Sequence, residues 1–187
     1  MYYHASPYKE IQVLVPHTSN HGKPLIYLSS RRENTLPYLS NAVELYGKRT
    51  GRFPNGPYHK WGSYGFTPEG ILRLEEYYPN ATKDTYQGIP GCIYTVEGND
   101  DIKEQPDIPY AFIAEHNIPV VCCEYIPDAY TAILEAAAQG KIILQKYEDN
   151  SEEKLRWIKS GIRQEFERTQ RAEYRAFLWD KFPFLHG

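Results

Sequence analysis

Val120-Val121-Cys122-Cys123-Glu124-Tyr125-Ile126-Pro127-Asp128 is the stretch from which the rest of the chain can be read. Its first seven residues are β-branched, apolar or aromatic apart from one glutamate, and they predict a short strand. Pro127 ends that strand. Asp128 then stands where an N-cap belongs, ahead of a helix running through Gln139 and closing at Gly140. Lys141 to Tyr147 predicts a further strand. Upstream, Gly91 to Glu97 predicts a strand, as does Gly70 to Tyr78 (Ile71, Leu74, Tyr77), stopped by Pro79-Asn80. Gly98 to Pro119, acidic and holding three prolines, reads as a surface connection.

The opening is also extended. Met1 to His4 forms an aromatic strand, Ser6-Pro7 turns, and Ile11, Val13 and Val15 alternate. The turn-rich segment Pro16 to Pro24 leads into a compact strand, Leu25 to Ser29. From Arg31 to Arg49 the period becomes helical through Leu36, Leu39, Val43 and Tyr46, with Pro37 placing the helix start at Leu36 or Pro37. Thr50 to Gly70 reads as a loop or loose hairpin. Ser151 caps a last long helix to Arg171, striped by Leu155, Ile158, Ile162 and Phe166, acidic in its first turn and basic at its far end. About seven short strands interrupted by helices, without regular β-α-β alternation, predict an α+β fold with antiparallel or mixed sheets. The expectation is one domain over 1–187, a core at 1–147 and a helical extension at 148–187.

Composition narrows the function. At 187 residues, 41% hydrophobic and 24% charged, the chain can bury a full core without disulfides or structural metal. Lys+Arg at 21 against Asp+Glu at 24 argues against a uniformly basic nucleic-acid binder. No apolar run reaches the length of a membrane helix, and Met1-Tyr2-Tyr3-His4 lacks the basic and apolar regions of a signal peptide. Three cysteines, Cys92, Cys122 and Cys123, make an odd number with two adjacent, which reads as a reduced, cytoplasmic protein. Seventeen tyrosines suit planar ligands and half-buried surfaces alike.

Several motifs carry little. His17 and His21 are four apart but among turn residues, so no helix aligns them for a metal. Cys122 and Cys123 point to opposite faces of a strand, as do Glu75 and Glu76. Gly62, Gly65 and Gly70 lack the strand-to-helix setting of a phosphate loop.

One constellation is more informative. The first strand ends Tyr3-His4-Ala5-Ser6, a second carries Tyr27-Leu28-Ser29 and is followed by a helix bearing Tyr38, and a late strand presents Glu124-Tyr125-Ile126. In order and spacing this resembles the ADP-ribosyltransferase fold, in the His-Tyr-Glu branch that includes diphtheria toxin and the poly(ADP-ribose) polymerases. The resemblance implies split, mixed or antiparallel sheets with peripheral helices, and NAD+ as substrate without a metal. It implies that His4 bonds the adenosine ribose and that the backbone of Ala5 grips the nicotinamide carboxamide. The family usually has glycine at the Ala5 position. Tyr27 and Tyr38 would sandwich the pyridinium ring, and Ser29 would bond the carboxamide. Glu124 would stabilise the oxocarbenium-like transition state and hold the ribose 2′-hydroxyl. Glu97, on the preceding strand, is the rival carboxylate.

The implied activity is transfer of ADP-ribose from NAD+ to a protein, nucleic-acid or small-molecule acceptor, or to water. Two readings compete: an inactive NAD+ or nucleotide-binding module, supported by Ala5, and a tyrosine-rich interaction domain. The latter would expose Tyr58, Trp61, Tyr64 and Phe66, residues that fit equally a lid or a satellite apolar cluster. The basic cluster Arg163, Arg168, Arg171 and Arg175 reads first as a solvated helix face.

Overall fold

The computed structural model describes residues 1–18 and 22–187; His21, one half of the His17/His21 pair, lies outside the described residues. The fold is α+β, as the pattern of elements predicts. In chain order the early elements are β1 (Tyr2–Ser6), β2 (Val13–Leu14), β3 (His17–Thr18), β4 (Pro24–Ser29), a 3-10 helix (Arg32–Leu39) and α1 (Ala42–Thr50). The middle holds β5 (Tyr64–Phe66), β6 (Leu72–Glu75), α2 (Ala81–Tyr86), β7 (Gly91–Val96), β8 (Lys103–Glu104), β9 (Ala111–Ala114) and β10 (Ile118–Pro119). The chain ends with β11 (Cys122–Ile126), α3 (Ala129–Ala138), β12 (Ile142–Gln145), α4 (Glu152–Arg168) and α5 (Ala172–Lys181). These form two compact units, one of Met1–Leu39, Phe66–Leu72 and Tyr86–Ile143, the other of Ser40–Gly65, Arg73–Thr85 and Leu144–Gly187.

The first unit is built on a seven-stranded sheet in the order β11-β7-β1-β4-β9-β8, with β3 beside β4. The pairs β1–β7, β1–β4, β7–β11, β4–β9, β8–β9 and β3–β4 are all antiparallel. Cross-strand partners share a face, so register assigns side chains to sides. One face buries Ile26, Leu28, Cys92, Tyr94 and Val96 with Leu14 and Ile118. Gly91 permits close approach on its own side, since a Cβ there would lie 2.6 Å from Cδ2 of Leu39. The Asp128 carboxylate caps α3, accepting the Thr131 N–H at 2.7 Å and also the Gly88 N–H at 2.5 Å.

The second unit is helical and aromatic. Tyr46, Tyr78, Ile158, Ile162, Tyr174, Phe177, Leu178 and Phe182 form its core, with Trp61 packed against it. Asn41 caps α1, its side chain accepting the Val43 N–H, and Gly51, at φ 67°, closes it with an N–H bond to the Lys48 carbonyl. Among the described residues no helix is long and apolar enough to cross a membrane.

Four expectations are corrected. The pattern from Arg31 to Arg49 is two helices, because Pro37 lacks an N–H and suits the tighter 3-10 turn, after which Asn41 starts α1 afresh. The segment Gly98 to Pro119 contains β9, which pairs with β4 from Ile26↔Ala114 to Ser29↔Ala111. The strand read over Gly70 to Tyr78 is only Leu72–Glu75, and α2 follows it. The last helix stops at Arg168; the Thr169 hydroxyl accepts the Arg171 N–H, and α5 begins at Ala172.

Candidate functional site

The middle of the large sheet departs from regular pairing. β1 registers with β7 at five positions, Tyr2↔Val96 through Ser6↔Cys92. On its other side, among the described residues, β1 registers with β4 only at Tyr3↔Ser29. Past that point a side chain stands between the strands: His4 Nδ1 lies 2.9 Å from the carbonyl oxygen of Tyr27. A carbonyl can only accept, so Nδ1 carries the proton. Burial holds the His4 pKa below the usual histidine value, and repulsion from His17 adds to this, against the opposing pull of the Tyr27 carbonyl. Neutral His4 therefore keeps its lone pair at Nε2, an acceptor suited to a hydroxyl.

β3 reaches β4 at the far end of the split, pairing His17 with Leu25. Tyr27 and Ser29 lie two apart on β4 and share a face with Tyr3, the partner of Ser29. Ala5, two residues from Tyr3, is on that face, buried and opposite Ile93. Ser29 is buried, and its hydroxyl accepts the Arg31 N–H at 3.1 Å. Tyr38 sits in the 3-10 helix with 53% of its surface exposed. The register thus brings Ala5, Tyr27 and Ser29 to one face, while His4 starts on the other and reaches Tyr27 through the split.

Glu124 is opposite Ile93, so it shares the face of Ala5, but on the edge strand. The order β11-β7-β1-β4 separates it from Tyr27 by three strand spacings, roughly 14 Å. Its carboxylate, 50% exposed, is forked by Arg32, with Nη2 at 2.6 Å and Nε at 2.7 Å. The bidentate bond raises the Arg32 pKa, more than burial lowers it. Lys141 to Glu33 (2.8 Å) and Glu33 to Arg32 (4.0 Å) extend this into a string of alternating charge. Glu97 follows β7 and is exposed.

Two groups escaped the sequence reading. Glu115 follows the last residue of β9, one step past Ala114↔Ile26, so a carboxylate stands two residues beyond Ile113, the partner of Tyr27. Its signal, an acid after Ala-Phe-Ile-Ala, was hidden once that segment read as a loop. Asn34, in the 3-10 helix, buries both amide atoms without a hydrogen-bond partner among the described residues. Such a group costs about 1–3 kcal/mol, and no sequence pattern marks it.

The second unit holds a cavity of about 250 Å³ between α1, α2 and α5. Its charges pair with each other: Lys181 with Asp84 at 2.7 Å, and Asp180 with Arg52 at 3.1 Å and the Tyr46 hydroxyl at 2.5 Å. Trp61 packs on Tyr78, Phe177 and Phe182, within the satellite arrangement rather than on an open surface. Compared with family models, curated proteins and solved structures, the chain matches none.

Proposed function

We propose that the sheet unit binds NAD+ along the split between β1 and β4 and cleaves its nicotinamide–ribose bond, passing ADP-ribose to an acceptor or to water. The observation that carries this reading is the His4 bridge to the Tyr27 carbonyl, which sets the tautomer and leaves Nε2 to accept a ribose hydroxyl. The residues fit a nucleotide in other respects. Tyr27 offers an aromatic face for a cationic ring, worth about 0.5–2 kcal/mol. Ser29 and the Ala5 backbone lie on the same side of the sheet. Ala5 brings a methyl where a closer backbone approach would favour glycine, yet that methyl is buried.

In the reaction the bond from C1′ to the pyridinium nitrogen breaks, and its electron pair leaves with neutral nicotinamide. Positive charge then develops on the ribose, and a carboxylate stabilises it. The acceptor oxygen or nitrogen closes on C1′ and releases its proton to solvent. Glu124 is the carboxylate named by the resemblance, and it must leave Arg32 to act. Glu115, beside the Tyr27 strand, needs no such exchange.

The Arg32 fork on Glu124 also favours a second reading, a module that binds NAD+ or a nucleotide without turnover. Proton NMR of NAD+ mixed with wild type, Tyr27→Ala, Glu115→Gln and Glu124→Gln decides between them. The expected result is nicotinamide release by wild type and a loss of about 10²–10³-fold in the variant lacking the working carboxylate. A thermal shift without release selects the binding module; at 100-fold over Kd a ligand adds about 2.7 kcal/mol. Neither shift nor release sinks both readings.

A further inference from the structure

The charged groups over the large sheet do not balance. Arg32 forks Glu124 at 2.6 and 2.7 Å, and Lys141 takes Glu33 at 2.8 Å. Arg31, next to Arg32, stacks instead on the Tyr110 ring at 3.7 Å and donates to its hydroxyl at 2.7 Å; no ion pair reaches it among the described residues. Three cations thus stand against two carboxylates in this group. The fork lies on the face that carries Ala5, Tyr27 and Ser29. Glu124 shares that face through Ile93, Tyr3 is the partner of Ser29 on it, and the Tyr3 phenol is near enough to act on the Arg32 charge. Leu39, the last residue of the 3-10 helix that Arg32 begins, packs on Gly91 of the same face. The Arg32 guanidinium therefore stands over the strands that separate Tyr27 from Glu124, where a dinucleotide reaching from one to the other must pass.

We propose that Arg32 exchanges Glu124 for the pyrophosphate of the ligand, so that the diphosphate itself releases the Glu124 carboxylate. This rests on the reading that the sheet unit binds NAD+, with or without turnover. A guanidinium fork fits two phosphate oxygens as well as it fits a carboxylate. Both side chains of the present pair stand partly in water, 28% and 50% exposed, so the pair contributes little and yields to a doubly charged rival. Glu33 keeps Lys141 and does not follow the exchange. Glu124, relieved of its cation, is then a bare carboxylate on the ligand's face of the sheet, the state that stabilising a cationic ribose requires. A ligand without phosphates leaves the fork closed. The site thereby discriminates a dinucleotide from nicotinamide riboside.

Calorimetric titration of the full chain with ADP-ribose, which carries the pyrophosphate without nicotinamide, tests the exchange. Arg32→Gln should weaken binding about tenfold or more, the usual worth of a hydrogen bond to a charged group. Glu124→Gln should tighten it about threefold, since the guanidinium is no longer held back. In the double variant that gain should vanish, because the carboxylate acts on the ligand through Arg32. A gain that persists there shows simple repulsion between Glu124 and phosphate, and overturns the proposal. So does wild-type affinity in both single variants, with the NAD+ reading left standing. Wild type that binds neither ADP-ribose nor NAD+ ends that reading and the exchange with it. Should Arg32→Gln unfold, Arg32→Lys, which keeps the charge and loses the fork, takes its place in the cycle.

Discussion

In the sheet unit a histidine ring stands where a ladder hydrogen bond would otherwise run; in the helical unit the buried carboxylates of Glu75 and Glu76 are closed off by their surroundings. Glu75 meets Arg73 at 2.6 Å and Lys154 at 2.9 Å. Burial alone would raise its pKa, but these two cations hold it below the usual carboxylate range. Glu76 accepts the N–H groups of Thr82 and Tyr147. His4 has Nδ1 engaged by the Tyr27 carbonyl, and its other ring nitrogen is an acceptor. Buried polar groups that satisfy each other make a scaffold, whereas the imidazole in the split sheet is where the proposed function seats its ligand.

The sharpest way to break the comparison is to cut the aromatic core. Phe177 is fully buried and packs against the rings of Tyr46, Trp61, Tyr78 and Tyr174. Phe177→Ala should cost about 3–5 kcal/mol, a large share of the roughly 5–15 kcal/mol that holds a domain together. Chemical denaturation measures the loss. Native-state hydrogen exchange then localises it: amides of α4 and α5 should open first, with those of β1 and β7 retained. Equal loss in both units would show that they unfold as one and that the contrast between them has no energetic content.

That contrast was only partly open to a reader of the sequence. β11 and α3 were legible because each signal is local: an apolar run, a proline, and Asp128 at the cap. β9 was not, since four residues between a positive-φ Tyr110 and the bend at Glu115 are too short to show alternation. α5 lacks both a side-chain cap and a clean stripe; Trp179 is exposed beside buried Leu178. His4, Ala5, Tyr27 and Ser29 were named from their order along the chain. The bond that joins His4 to Tyr27 spans 23 residues and runs from side chain to backbone, so no residue pattern encodes it. The distance from Glu124 to Tyr27 depends on strand order, which spacing along the chain does not give.

Acid sharpens the comparison next. The His4 pKa is depressed in the folded state, so below the unfolded value of about 6.5 the unfolded chain binds protons that folded His4 refuses. Its contribution is present above that pH and is lost as pH falls through 6.5 toward the lower folded value. His59, depressed by burial and then by Arg171, behaves likewise in the helical unit. Glu75 keeps its contribution until pH drops below about 4.3. Denaturation curves at a series of pH values should show wild type weakening as pH falls below about 6.5, and His4→Asn removing part of that slope while leaving the further drop below about pH 4.3. An unchanged slope in His4→Asn would place the whole effect on His59 and remove the case for a neutral, ligand-facing imidazole.

The smallest effect asks whether the sheet unit's own scaffolding is as complete as that of the helical unit. Asp128 serves two elements, capping α3 through Thr131 and holding the Gly88 N–H. These backbone bonds, that to Thr131 first, keep its pKa below the usual carboxylate range, so the stability it confers is present above the unfolded value and fades as pH falls. Asp128→Ala should cost about 1 kcal/mol at neutral pH, the usual worth of a cap. Asp128→Asn retains an acceptor oxygen but not the charge at the helix N-terminus, and should cost only the dipole share, about 0.3–1 kcal/mol. Thermal melts of the two variants separate these contributions. If Asn is as costly as Ala, charge rather than hydrogen bonding holds the start of α3, and low salt should deepen both losses.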